Sequence, residues 1–596
     1  MDGGTAPQET PATTVSVKAP SRFRAWVRGN EIGLVIVACV VGVVAGLVVT
    51  AIGRAAQALH MLLFAADDGH LSSMTALASP WHAALPACGG ALLGLWLFAT
   101  RKRKARPLVD PIEANALHGG RMSIRDSVIV VAQNLVSNGF GASVGLEAAY
   151  TQMAGGLASR LGTAFEMRRG DLRMLVGCGA AGAIAAAFNA PLTGAFYAFE
   201  LIIGTYSVVT LAPVVAAALC GTFVAQLLGA APFLIEVGSP GPITALDYPP
   251  AILLAVLAAG LGIAIMKGVT SVERGVRGSG LPAPLRPVAG GLVVGALALV
   301  TPQVLASGHG ALHLQLDLPA SLSMLALVLA LKALASAVSI GSGFRGGLFF
   351  ASLFMGALLG NLFAAAAPWI FPHTALTPVT FAIVGMSSLA VTIVGGPMTM
   401  TFLALEMTGD FPITALALAT VVTASLTARK TFGYSFATWR FHLRGENIRS
   451  AHDVGWIRNL TVGRMMRTDV RTTALGTSLK TFRRDFPLGS AQRVVVIDAT
   501  GAYAGIVLVA DAYSDAATDL EAKIDDLLRW RDAVLLPQMS AREAAALFDR
   551  AESEALAVVD GAKTRNVVGL LTESHTLRRY SEELDLRRRE AAGEVR

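Results

Sequence analysis

Apolar residues fill the first 430 positions in long blocks, which polar residues interrupt at a few defined places. Ile32–Phe64, interrupted by Arg54 and His60, is long enough to cross a bilayer with strong tilt, and His82–Ala99 predicts a return crossing. Between the blocks, Ala65–Trp81, Gly229–Pro249, Pro302–Pro319 and Ala366–Val379 contain no Lys or Arg. The alternate connections carry Arg101 to Arg106, then Arg160, Arg168, Arg169 and Arg173, then Lys267, Arg274, Arg277 and Arg286, and finally Arg429 and Lys430. The positive-inside rule puts the basic set, and with it both ends of the chain, on the cytoplasmic side.

Three blocks are too broken to span as simple helices: they contain Phe188 to Gly194, Gly341 to Gly347, and Val394-Gly-Gly-Pro397. Irregular backbone at membrane depth is tolerated where it lines a cavity, and broken helices in corresponding halves point to a solute site. The halves do correspond. Pro191 to Glu200 matches Pro397 to Glu406 at Pro, Thr, Phe and Glu, with Gly179 and Gly385 at the same offset before them. Upstream, Gly145, Thr151 and Gly155 pair with Gly346, Ser352 and Gly356, five residues out of step with the later block. The predicted fold is therefore an all-α polytopic membrane domain of two inverted homologous halves.

The alternation changes after Tyr434. Val462–Asp515 and Asp532–Arg579 each predict a short amphipathic helix, a Val-rich strand, a turn and a second strand, a small α/β region built twice. The resulting division is a disordered cytoplasmic segment 1–30, a membrane domain 31–443, a linker 444–460, repeats 461–515 and 528–582, and a charged tail 583–596. Composition agrees: 54% hydrophobic and only 15% charged residues exclude a single soluble domain of 596 residues. The net charge of +7 comes largely from loops near the membrane and suits an anionic lipid surface. No nucleic-acid motif, enzyme motif or removable leader is evident. Cys39, Cys88, Cys178 and Cys220 lie in apolar runs without metal-like spacing, so neither a disulfide nor a metal is expected.

One acid stands out. Glu147 is the only charged residue between Ser127 and Ser159, and it follows Gly139, Gly141 and Gly145 at the head of a Leu/Ala/Met helix pattern. A helix N-terminus offers unpaired N–H groups and a positive macrodipole, so it attracts anions. Glu147 is then either a gate that competes with a solute anion or a first-turn acid that complements the dipole at a water-facing end.

These residues resemble the CLC chloride channel and transporter family. Gly141-Ala-Ser-Val-Gly-Leu-Glu-Ala-Ala149 is similar to its G-G-S-x-G-R-E-G-P, and Ser342-Gly-Phe-Arg-Gly-Gly-Leu-Phe-Phe-Ala-Ser-Leu353 to its S-G-x-x-G-G-x-F-x-P-S-L. Gly179 to Gly194, Leu405-Glu-Met-Thr408 and Tyr434-Ser435 complete the series, which spans roughly Ile32–Leu443. The resemblance implies a homodimer with an anion pathway in each subunit, gated by Glu147 and flanked by Leu146 and Ala148. It also implies a central anion site at the amides of Leu348 and Phe349, and a hydroxyl from Tyr434 facing that anion. Lys332 falls on a basic position of the family.

The departures bear on function. The family's anion-contacting serine falls on Pro107 or Leu108, neither of which has a hydroxyl, and Ala351 replaces a proline. Chloride, nitrate, bromide and fluoride all stay open as the transported anion. The exchangers' inner proton-transfer acid falls on Leu201; Glu113 and Glu200 are the remaining candidates for a proton path. Channel-like anion flux is thus favoured, with anion/proton antiport and a non-conducting membrane sensor as alternatives. The C-terminal repeats resemble a pair of CBS domains, which implies either an adenine nucleotide, held by Asp511 and Thr572, or a dimer-forming role. Leu508 and His575 stand at that site's other two positions.

Overall fold

The computed structural model describes residues 29–66, 71–100, 108–230, 243–312, 321–374, 376–444, 460–514, 519–561 and 564–591, with Arg24, Val27 and Ile235. Most of the expected N-terminal segment and of the linker, the Arg101–Arg106 run, Pro107 and the final residues of the tail lie outside the described residues. The chain forms two compact units, Met1–Asp453 and Val454–Arg596.

The first unit is helical. It comprises α1 (Glu31–Phe64), α2 (Leu85–Thr100), α3 (Pro111–Leu117), α4 (Ile124–Gly139), α5 (Glu147–Ala164), α6 (Arg169–Phe188), α7 (Pro191–Tyr197) and α8 (Val208–Leu227). Then follow α9 (Tyr248–Gly278), α10 (Arg286–Val300), α11 (Leu322–Ser342), α12 (Phe349–Ile370), α13 (Pro378–Val394), α14 (Pro397–Thr408), α15 (Phe411–Thr431) and α16 (Phe436–Leu443). Among the described residues, nine helical stretches are long and apolar enough to cross a membrane. Each predicted interruption is a real break. Asn189 ends α6 in the left-handed region (φ 53°), Gly343 ends α11 (φ 110°), and Gly395 and Gly396 (φ 90° and 71°) separate α13 from α14.

The two halves pack by the same device. In α6, Gly179 lies against the Ala154 carbonyl of α5; in α13, Gly385 lies against the Gly356 carbonyl of α12. Small residues let these helix backbones close to direct contact, which is how apolar helices associate where burial from water offers no drive. This contact corrects the sequence pairing. Gly356 corresponds to Ala154, not Gly155, and Glu147 and Phe349 each open their helix, so the first-block offset is 202 residues instead of 201. Matching glycine to glycine had misled the register by one position.

The second block keeps its offset of 206, and its acids explain why. The Glu200 carboxylate accepts hydrogen bonds from Met398 N (2.9 Å), Thr399 N (2.8 Å) and Thr399 Oγ1 (2.7 Å), at the start of α14. Glu406 does the same for Leu192 N (2.7 Å), Thr193 N (2.8 Å) and Thr193 Oγ1 (2.6 Å), at the start of α7. Each half thus caps the broken helix of the other with a carboxylate.

In the second unit, α17 (Val462–Met465) precedes two copies of one pattern. The first is β1 (Thr472–Ala474), α18 (Leu479–Asp485), β2 (Arg493–Ile497) and β3 (Tyr503–Leu508); the second is α19 (Ala541–Ala551), β4 (Ala555–Val559) and β5 (Val567–Thr572), followed by α20 (Glu573–Ala591). β2–β3 and β4–β5 are antiparallel hairpins, and β1 runs parallel to β2. The copies exchange their leading segments. Arg467 bridges Leu570 in β5, and Arg529, 62 residues later, bridges Ile506 in β3. Val494, Val496, Ile506, Leu556 and Val558 are fully buried, so both hairpins serve as core walls.

Candidate anion-binding site

The site begins with a two-residue ladder. Gly145 and Gly347 pair as an antiparallel bridge, Gly145 N donating to Gly347 O (2.9 Å) and Gly347 N to Gly145 O (3.4 Å). The next residue but one on each strand, Glu147 and Phe349, opens α5 and α12. Two helix N-termini from the two halves therefore face one another across a single point. Neither Leu146 nor Leu348, the N-cap residues, offers a capping side chain. Both first turns consequently lack a local acceptor for their N–H groups.

Glu147 supplies one. Its buried carboxylate lies close enough to its own N–H and to the Phe350 N–H on the opposing helix to interact with both dipoles. The side chain folds back over Gly145, so that a Cβ built on Gly145 would collide with Oε2. Oε2 itself is buried without a hydrogen-bond partner among the described residues. A buried carboxylate therefore lies between the first turns of α5 and α12.

Polar residues that sequence reasoning passed over hold this loop. On α4, Asn134 Nδ2 donates to Gly145 O (3.2 Å) and Asn138 Nδ2 to Val144 O (2.8 Å). Ser137 Oγ accepts from Arg345 N (3.0 Å), and Gln133 Oε1 accepts from Arg345 Nε (3.3 Å). Their signal was present: polar pairs four apart, 133/137 and 134/138, on one apolar helix.

Below the ladder, a cavity of about 550 Å³ is lined at its upper end by Ala148, Thr151, Tyr197, Gly346 and Gly347, with Leu108 on its wall. Farther along, Arg274, Arg277, Arg345, Arg440 and Arg444 meet Asp110 and Glu273, five arginines against two carboxylates. Gln152 Nε2 donates to Val109 O (3.0 Å) and fixes the Leu108 segment to α5.

Several sequence candidates lie elsewhere. The Tyr434 hydroxyl pairs with His442 Nδ1 (3.3 Å) and its ring stacks on that imidazole, while Phe436 of the same segment lines the cavity. One residue, Ser435, separates Tyr434 from Phe436, and the turn into α16 sends the latter inward. The phenol bordering the cavity is Tyr197, whose ring centroid is 6.1 Å from that of Phe349. Lys332 is fully buried, its Nζ donating to the carbonyls of Val304 (3.1 Å), Leu305 (3.4 Å) and Ala306 (2.8 Å), so it clamps a loop. Glu113 is buried against Arg444 (3.4 Å), whereas Asp110, the N-cap of α3, faces the cavity. In the second unit Asp511 is ion-paired with Arg529 (2.8 Å), and Thr572 Oγ1 accepts from His575 N (3.4 Å).

Comparison with known proteins agrees with the geometry. The family profile described as "Voltage gated chloride channel" matches residues 89–429. A ClcB-like chloride channel protein of Ralstonia nicotianae is 33% identical over 409 residues, covering 66% of this chain and 93% of the relative. The voltage-gated ClC-type chloride channel ClcB of Escherichia coli is 30% identical over 398 residues, 66% of this chain and 95% of ClcB. Among solved structures, a slow cyanobacterial Cl−/H+ antiporter superposes with TM-score 0.61 at 21% identity, covering 69% of this chain and 97% of its own. A eukaryotic CLC transporter gives 0.58 at 18% identity, covering 91% and 97%. The chain belongs to the CLC family of voltage gated chloride channels and is an integral membrane protein. Anion transport is that family's activity.

Proposed function

We propose that the protein conducts a small inorganic anion between the facing N-termini of α5 and α12, with the Glu147 side chain as the gate. The observation that carries this reading is the Glu147 carboxylate set against the N–H groups of both helices. When the carboxylate swings away or takes a proton, the same N–H dipoles accept a partly dehydrated anion without the tight hold of a full ion pair. The arginines of the lower cavity raise the local anion concentration on the cytoplasmic side. Leu108, without a hydroxyl, leaves selectivity to the backbone dipoles and to Tyr197. Both termini are cytoplasmic in this reading, and the active form is a homodimer in the lipid bilayer.

Flux without stoichiometric proton countertransport is the reading favoured by the acids. Leu201 does not titrate, Glu200 is consumed as a helix cap, and Glu113 is held by Arg444. One observation favours the alternative, antiport: Asp110 lines the cavity together with Tyr197, and both Asp110 and Glu147 lie within electrostatic range of that phenol. Purified protein in vesicles decides the matter. An anion gradient that leaves a proton gradient undisturbed supports conduction, and anion-driven uphill proton movement overturns it. For the C-terminal pair, engagement of Asp511 by Arg529 supports the structural role over nucleotide binding.

A further inference from the structure

The arginine cluster exceeds what a monovalent anion requires. Arg345 enters from the turn between α11 and α12, Arg440 and Arg444 from α16, and Arg274 and Arg277 from the last turns of α9. They act on one another: Arg440 and Arg444 are charged neighbours of Arg345, and Arg444 and Arg277 are charged neighbours of Arg440. The carboxylates within reach are Asp110 and Glu273, together with Glu113 behind Arg444. Glu273 is already taken by Arg277 (2.5 Å). Like charges so placed repel, and the fold rather than their own attraction holds them together. A halide would neutralise one guanidinium. A chain of phosphates would neutralise several, through paired N–H donors matched to its oxygens.

We propose that this cavity binds a polyvalent phosphate oxyanion, and that its occupancy closes the cytoplasmic mouth below Gly346 and Gly347. The volume of about 550 Å³ accommodates a tripolyphosphate chain. Arg345, anchored by Gln133 and directly adjoining the glycine ladder, places the bound anion across the route of the transported ion. The inhibitory half of the proposal rests on the transport reading above; the binding half does not.

Titration calorimetry of the full-length purified protein with sodium tripolyphosphate, and separately with adenosine triphosphate, tests it. Expected is saturable binding that weakens steeply with added salt and falls about tenfold for each of Arg345→Gln and Arg274→Gln. Arg274→Gln is the safeguard should the first variant fail to fold, since Arg274 is an exposed residue on the cavity rim. Equal affinity for the two probes assigns the site to the phosphate chain alone, and tighter nucleotide binding adds a base contact; both support it. No binding, or binding that neither substitution weakens, overturns it. In vesicles, tripolyphosphate on the cytoplasmic side should slow chloride efflux in the wild type and less so in Arg345→Gln. Absence of any efflux would refute the transport reading and leave the calorimetric result standing.

Discussion

Glu200 reaches from one half of the membrane domain to Thr399 in the other, taking both the backbone N–H (2.8 Å) and the hydroxyl (2.7 Å) on one carboxylate oxygen. Its counterpart Glu406 holds Thr193 in the same way, so removal of either acid uncaps a broken helix. Glu200→Ala and Glu406→Ala should each destabilise the membrane domain by about 2–3 kcal/mol, read as a lowered unfolding temperature in detergent. Glu200→Gln should leave proton movement during anion flux unchanged in vesicles. A change in that movement would make Glu200 part of a proton path.

Glu147→Gln should raise anion flux several-fold and flatten its dependence on pH, because the amide cannot compete as an anion. Radiotracer efflux at acidic and neutral pH measures both. Wild-type flux should rise on acidification, as protonation removes the competing charge. A variant that retains the wild-type pH response would exclude Glu147 as the gate.

Gly145→Ala offers an independent route to the same state. Its backbone does not need a positive φ, and the added methyl meets Glu147 Oε2 rather than the main chain. The carboxylate must leave, so flux should rise toward the Glu147→Gln level while the fold persists. Unaltered flux in a folded Gly145→Ala protein would show that the carboxylate does not occlude the site.

Tyr197 and Tyr434 should separate cleanly. Tyr197→Phe removes the cavity's phenol hydroxyl and should weaken anion binding by roughly fivefold, about 1 kcal/mol. Tyr434→Phe, whose hydroxyl pairs with His442, should leave selectivity unchanged. Anion competition curves for the two variants provide the comparison, and a larger effect at Tyr434 would reverse the assignment.

Burial and the neighbouring Arg578 and Arg467 hold His575 below the usual imidazole range in the folded C-terminal unit. The unfolded state therefore takes up its proton first as pH falls. Stability from this group is present above the ordinary imidazole pKa of about 6.5 and is lost as pH drops through the folded value. Hydrogen-exchange protection across β4 and β5 in the full chain, after correction for the intrinsic pH dependence of exchange, should fall between neutral and mildly acidic pH, and His575→Gln should reduce that change. An identical pH response in the variant would remove His575 from it.

Much of this architecture was legible in sequence because the membrane forces it to be. Apolar length, basic loops and glycine breaks are each dictated by the cost of polar groups in lipid, and every predicted break was found. The repeat was visible through Pro191/Pro397 and Glu200/Glu406, although its first block slipped by one residue because glycine identity is a poorer register mark than helix start. Side-chain direction was not legible. Whether Tyr434 or Phe436 turns inward depends on the curve of the chain into α16, and whether Glu113 or Asp110 meets the cavity depends on which residue caps α3. The arginine cluster was scattered over three distant segments, and only the packing of α9 near α16 unites it.

The Gly145–Gly347 ladder carries a mechanical consequence. Because the two halves are stitched backbone to backbone just before the first turns of α5 and α12, a rocking motion of one half against the other would tear both bonds there. Such a joint resists the alternating exposure by which many carriers work. With Glu147 as the proposed gate, the pathway would be a fixed frame with one swinging leaf, its rate of passage set by the rotation of a single carboxylate arm.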